Sequence, residues 1–319
     1  MAGAQPTISH PARSVMMTVS PLLPGLMLLS DIERAGQRPP SCTLMSFAPQ
    51  GTGGSFTGAP RSDHIAALMC TVVFLRRPDH QWPLILGANR DEMDGRPWLP
   101  PGRHWPDWPD IVAGMDQLAG GSWLGINDTG VVAGVLNRKD SLGPDPDLRT
   151  RGELVLEALD HADAVDAAKA LAELSPGAWR SFNLFIADNR DAYWLRSLGP
   201  GSDRVQLMQI PEGISILTSW DLNAPASART RHFLPQFQAA AAPDPEAADW
   251  AAWEELMMSR TFEAGSGPSE AMRVTSDRGF GTLSSSLIAL ETPSVTNLRK
   301  IWRFSDTNSE NPAFGTVLF

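Results

Sequence analysis

Thiols are scarce in this 319-residue chain, which has two cysteines, Cys42 and Cys70. So few exclude a disulfide framework and a cysteine-built zinc site, and either residue can matter chemically only as a thiol. No stretch approaches the roughly 20 consecutive apolar residues of a bilayer-spanning helix, which argues against an integral membrane protein. The six histidines never take H-x-x-x-H or H-x-x-E-H spacing, so a zinc hydrolase is disfavoured. Gly120-Gly121-Ser122 lacks the G-K-[ST] of a phosphate loop, and Ser284-Ser285-Ser286 lacks G-x-S-x-G. With 26 basic against 36 acidic residues, a net charge of −10 and no long run of either sign, a nucleic-acid-binding face is not expected. Tyrosine is limited to Tyr193 beside eleven tryptophans, an imbalance without a physical account. Trp98, Trp105 and Trp108 sit in a Pro-rich loop, where they either line a pocket or, the favoured reading, staple the loop to the core.

What is present divides sharply at Met69. Of the first 68 positions, 23 are Pro, Gly or Ser, none is Lys, and neither a 2-residue nor a 3.6-residue period holds. This segment is expected to be a disordered extension or a mis-assigned start. Its apolar patch at Pro21–Ser30 is a weak signal-like core, preceded by a single basic residue, Arg13, and followed by no A-x-A site. From residue 69 to 319, apolar runs alternate with turn residues. Strands are expected at Thr71–Arg77 and Leu84–Ala88, joined through Pro78–Gln81, and at Ser122–Ile126 and Val131–Leu136, joined through Asn127–Gly130. Four strands thus precede two helices within Arg149–Glu173, which break near Asp163 and stop at Pro176-Gly177. Strands at 182–188, 192–197, 205–210 and 214–218, helices at 231–241 and 246–258, and strands at 284–290 and 298–304 complete the reading. The order suits an α+β fold, two packed sheets with helices outside.

The residues with chemical promise lie around Cys70. If Met69 were removed, Cys70 would carry a free α-amine, whose ordinary pKa of about 8 lets it take the thiol proton directly or through water. A lone cysteine at a strand start is more often a small buried apolar residue. Gly87-Ala88-Asn89-Arg90-Asp91-Glu92 ends the partner strand, so a hairpin brings it beside Cys70. Four consecutive polar residues read on propensity as a solvated loop; the functional reading points Arg90 and Asp91 at the thiolate and amine.

Here the chain resembles the NRDE family, which includes the eukaryotic transport and Golgi organisation proteins. The likeness runs from M-C-T at 69–71 through A-N-R-D-E at 88–92, A-G at 113–114, G-G-S-W-L-G-I-N at 120–127 and G-V-V-A-G-V-L-N at 130–137 to F-N-L at 182–184. A more distant likeness is to the choloylglycine hydrolase and penicillin V acylase group. The resemblance implies a four-layer αββα sandwich of the N-terminal-nucleophile hydrolase type over residues 69–319. It implies Cys70, Arg90, Asp91 and Asn137 as catalytic residues, with Asn137 as the oxyanion donor. Asn89, Trp123 and Ser219 are expected to bind substrate, and no metal is expected. Two departures stand out: Thr218-Ser219-Trp220 replaces the hydrolases' T-N-x-P, and Gly281-Thr282-Leu283-Ser284-Ser285 replaces the family's G-T-R-S-S. The implied function is a cytoplasmic cysteine amidohydrolase for linear C–N amide bonds of a small molecule, without cofactor. The alternative is a non-enzymatic carrier of haem or lipid, acyl-CoA included, with haem as cargo; no C-x-x-C-H supports haem attachment.

Overall fold

The computed structural model describes residues 70–319 other than 142, 144, 278, 293–297 and 311. Expectations for residues 1–69 therefore lie outside the described residues. Alternating apolar and turn segments fold into two antiparallel sheets. One contains β1 (Thr71–Arg76), β2 (Leu84–Met93), β10 (Gly213–Leu217), β11 (Phe280–Leu290), β12 (Lys300–Asp306) and β13 (Gly315–Thr316), in the order β10-β1-β2-β11-β12-β13. The other runs in chain order through β3 (Trp98–Gly102), β4 (Ile111–Asp116), β5 (Leu124–Asn127), β6 (Val132–Asn137), β7 (Phe182–Ala187), β8 (Ala192–Ser197) and β9 (Gln206–Gln209).

Three apolar clusters define the layers. Val72, Phe74, Leu86, Ile126 and Phe185 meet between the sheets, with the Phe74 and Phe185 rings edge-to-face at 5.1 Å. Helices α1 (Gly152–Leu159) and α2 (Ala164–Ala172) bury Leu154, Leu159 and Leu171 against Ile111, Ala133 and Leu184 of the seven-stranded sheet. Helices α3 (Ala228–Ala239) and α4 (Ala251–Met257) bury Phe233, Phe237 and Trp253 against Val73, Ile85 and Leu287 of the other. The result is the four-layer αββα sandwich expected from the resemblance. Each fully buried Phe contributes about 1.5–3 kcal/mol by leaving water. Because both faces of the six-stranded sheet are covered, β1 is a continuous buried run rather than an alternating one.

The hairpins β1–β2 and β5–β6 pair as expected. Six strands, not four, precede α1: β3 falls in the stretch expected to be a Pro-rich loop, and β4 lies where no element is expected. β3 carries Pro100 and Pro101, which remove two ladder donors, and it survives as an edge strand with a register shift between Leu99 and Gly102. The Trp loop is stapled: Trp98 stacks edge-on against Trp123 and Phe304, while Trp105 and Trp108 pack on the α1/α2 side. Among the described residues, no helix is long and apolar enough to cross a membrane.

Candidate active site

The charged run after Ala88 is not a loop. β2 continues to Met93, pairing with β11 through Asp91↔Thr282, so successive side chains alternate between its two faces. Asn89 and Asp91 face the α3/α4 layer. Asn89 donates through Nδ2 to the carbonyls of Met257 and Met272, both at 2.8 Å. The Asp91 carboxylate accepts from Arg229 Nη1 at 2.9 Å and from Thr282 Oγ1 at 2.6 Å, in a pair whose side chains are both fully buried. Arg229 Nη1 also donates to Thr71 Oγ1 at 2.7 Å and Nη2 to the Ser269 carbonyl at 2.8 Å, tying α3 to β1. Thr71 pairs with Asn89 across the hairpin, so Cys70 falls level with Arg90, and both belong to the face that looks between the sheets.

There Cys70 and Arg90 line a cavity of about 370 Å³, together with Trp123 just before β5, Val135 and Asn137 of β6, and Arg151 at the start of α1. The half-buried thiol contacts the Asp91 carbonyl, with Sγ 3.7 Å from the oxygen. Burial pushes the Cys70 thiol up to about 12; the charges of Asp91 and Glu92 add to the rise, while a backbone hydrogen bond with Asp91 and the Arg90 guanidinium oppose it. With its nitrogen in a peptide bond, such a thiol stays protonated at neutral pH. The Arg90 guanidinium lies over the Trp123 ring at 4.1 Å, is 5% exposed, and shares Asp116 and Glu92 with Arg96. Its Nη1 has no hydrogen-bond partner among the described residues, and burial lowers its pKa. Asn137 ends β6 at the cavity lining, and its side chain makes no hydrogen bond with the described residues.

Four of the expected site residues, Cys70, Arg90, Asn137 and Trp123, thus converge on one cavity. Three are placed otherwise. Asp91 borders the cavity, but its carboxylate is committed to Arg229 and Thr282 on the other face of β2 instead of pointing at the thiol. Burial raises the Asp91 pKa, and Arg229 and Thr282 draw it back down. Asn89 does not line the cavity, because strand alternation turns its amide toward α4; it borders a void of about 20 Å³ that also touches Cys70. Ser219 is buried and likewise outside the cavity lining; its carbonyl accepts from Lys139 N at 3.1 Å, holding the segment after β10 against the segment that follows Asn137.

Several motif residues build the site without entering it. A Cβ on Gly114 would lie 2.3 Å from the Trp123 ring, so the A-G pair makes room for the indole under Arg90. A Cβ on Gly121 would lie 2.5 Å from the Gly152 backbone; that close approach seats Arg151 at the cavity wall. Asn127 donates to the carbonyls of Leu159, the last residue of α1, and of His161 just beyond it, and Asn183 of F-N-L donates to those of Thr218 and Trp220.

Residues 69–292 match the family model described as Transport and Golgi organisation 2. The chain belongs to that family. Curated relatives include the Transport and Golgi organization 2 homolog of Mus musculus, 34% identical over 131 residues, and that of Homo sapiens, 35% identical over the same length. Each alignment spans 38% of this chain and 45% of the relative, so the chain matches under half the length of these Transport and Golgi organisation 2 homologues. Among solved structures, the chain is similar to the Caenorhabditis elegans N-acylethanolamine-hydrolyzing acid amidase ortholog, at 11% identity and a TM-score of 0.44, covering 68% of this chain and 92% of that one. It is similar at the same identity and TM-score to a variant of conjugated bile acid hydrolase from Clostridium perfringens, covering 77% and 92%.

Sequence reasoning missed Arg229, Thr282 and Arg151. Ser227, whose hydroxyl accepts from Thr230 N at 3.1 Å, starts α3 three residues ahead of the expected Arg231, which turns Arg229 inward. Thr282 lies in a strand that begins four residues before the expected Ser284. Ser227, an N-cap residue type two positions before Arg229, was the available signal; nothing in the sequence marked Arg151.

Proposed function

We propose that this member of the Transport and Golgi organisation 2 family is a cysteine amidohydrolase whose nucleophile is Cys70 once that residue is N-terminal. One observation carries the reading: a thiol, a buried guanidinium and an uncommitted amide, drawn from two different sheets, border the same cavity. The freed α-amine takes the thiol proton as Sγ bonds to the substrate carbonyl carbon, and the electron pair of the C=O bond moves to oxygen. Asn137 Nδ2–H donates to that oxyanion, a contribution on the order of 3 kcal/mol in sites of this kind. Collapse re-forms C=O and breaks the C–N bond, and the α-ammonium returns its proton to the departing nitrogen. Water then attacks the thioester carbonyl, giving a proton to the α-amine, and Sγ leaves as thiolate, which that proton restores to the thiol. An ammonium beside Cys70 favours the thiolate, against the burial that holds the internal thiol protonated. No single observation favours the haem or lipid carrier; among the described residues the cavity is bordered by five arginines, four acidic residues and no histidine. The test is hydrolysis of a panel of N-acyl amides by protein beginning at Cys70. Cys70→Ala should abolish turnover, and unchanged turnover in that variant sinks the reading.

A further inference from the structure

The cavity's charges do not cancel. Its wall carries Arg90, Arg96, Arg149, Arg151 and Arg180. Arg149 is paired with Glu153 at 2.6 Å, Arg180 faces Asp145 at 3.7 Å, and Arg90 and Arg96 share Glu92 and Asp116. Arg151 is different. Its Nη1 donates to the Ser141 carbonyl at 2.8 Å, the Ser141 hydroxyl at 3.1 Å and the Ser181 carbonyl at 3.2 Å, all neutral acceptors. Among the described residues it has no carboxylate within ion-pair distance. The three neutral bonds fix the head group in place, so its position does not depend on a ligand. A half-buried guanidinium is costly to leave without a counter-charge, and desolvation together with neighbouring Arg180 holds Arg151 down to about 10. Arg90, on the same wall, keeps Nη1 without a partner. Among the described residues this wall lacks one negative charge, and Arg90 and Arg151 both act electrostatically on the thiol.

We infer that the substrate carries a single carboxylate, bound by the fixed guanidinium of Arg151, so that the amide cleaved at Cys70 belongs to an N-acyl amino acid or similarly charged acyl amide. The inference rests on the hydrolase reading for the identity of the scissile bond, though not for the binding site itself. A planar guanidinium matches a carboxylate or a phosphate by paired N–H donors. One uncompensated arginine, beside Glu92, Asp116 and Asp145, suits one negative charge better than the two of a phosphate monoester. The apolar part of the acyl chain would meet Trp123, Val135 and Leu148, which border the same space.

Binding separates this inference from catalysis. Calorimetric titration of the full chain bearing Cys70→Ala uses N-hexanoylglycine, its neutral amide N-hexanoylglycinamide, and N-hexanoyl-O-phosphoethanolamine. The acid should bind roughly 10- to 100-fold more tightly than the amide, the range expected for a charged hydrogen bond in a partly buried site. Arg151→Gln keeps donors for Ser141 and Ser181 but removes the charge, and it should bring the acid down to the amide without weakening the amide. If that variant does not fold, Arg151→Lys replaces it, and the acid-to-amide ratio should fall at least several-fold as the paired donors are lost. Equal or undetectable binding of acid and amide overturns the inference, as does a preference that survives both substitutions. Tighter binding of the phosphate overturns the assignment of a single carboxylate. Preferential binding of the acid without hydrolysis by protein beginning at Cys70 leaves the anion site standing and removes the hydrolase reading.

Discussion

The buried pair of Asp91 and Arg229 should dominate the stability of the domain core beneath Cys70. Both side chains are fully buried, and Arg229 also serves Thr71 and Ser269. Arg229→Met preserves length and apolar bulk but strands the carboxylate, and removing one partner of a buried pair costs about 3–5 kcal/mol. The pH dependence has a defined sign. Asp91 already has a folded-state pKa above its unfolded value, because burial outweighs the pull of Arg229 and Thr282. The folded state therefore binds more protons in that interval, and stability falls as pH rises from the unfolded value to the folded one, then levels. Without Arg229 the folded value climbs further and the interval widens upward. Urea unfolding of Arg229→Met should show the larger deficit at pH 7.5 and a smaller one near pH 5. Adding Asp91→Asn should recover most of the pH 7.5 loss. A deficit below about 1 kcal/mol, far under the range for a broken buried pair, or one equal at both pH values would refute the reasoning.

Asn137→Ala should leave urea-monitored stability nearly unchanged, since its side chain makes no hydrogen bond with the described residues, yet slow amide hydrolysis by about 10²–10³-fold if it holds the oxyanion. Asn89→Ala should behave in the opposite way. It strips the Met257 carbonyl of its partner and leaves the Met272 carbonyl only the longer contact from Thr282 Oγ1 at 3.3 Å, which should cost about 1–3 kcal/mol, measured by thermal or urea unfolding, with KM little altered because the side chain turns away from the cavity.

The β1–β2 and β5–β6 hairpins were legible because apolar runs flank short polar turns, and the break before α2 because Asp163 caps it, accepting from Asp166 N at 2.9 Å. β3 was not, since two consecutive prolines argue against any strand except an edge. The polar run Asn89–Glu92 was read as a solvated loop on the rule that charged residues avoid a core. That rule fails where long-range partners absorb each charge: Arg229 and Thr282 lie 138 and 191 residues from Asp91. Cys70, Arg90 and Asn137 were found through a resemblance carried by short motifs, and the structure brings them to one cavity. Asn127 and Asn183 belong to the same motifs, yet their amides hold loops and helix ends in place. Spacing alone cannot separate the two kinds of asparagine. Arg151 has no motif at all, because its place at the wall depends on the Gly121–Gly152 contact between distant segments.

The chemistry turns on whether a free amine at residue 70 awakens a thiol that burial otherwise holds at about 12. Iodoacetamide modification of Cys70, followed by intact mass at pH 7.5, should be fast in protein beginning at Cys70 and nearly absent in protein that retains Met69. With an N-acyl amide present, only the first should accumulate an acyl adduct, and that adduct should block alkylation. Equal alkylation of the two forms, or an acyl adduct on the form that retains Met69, would contradict the terminal-nucleophile mechanism.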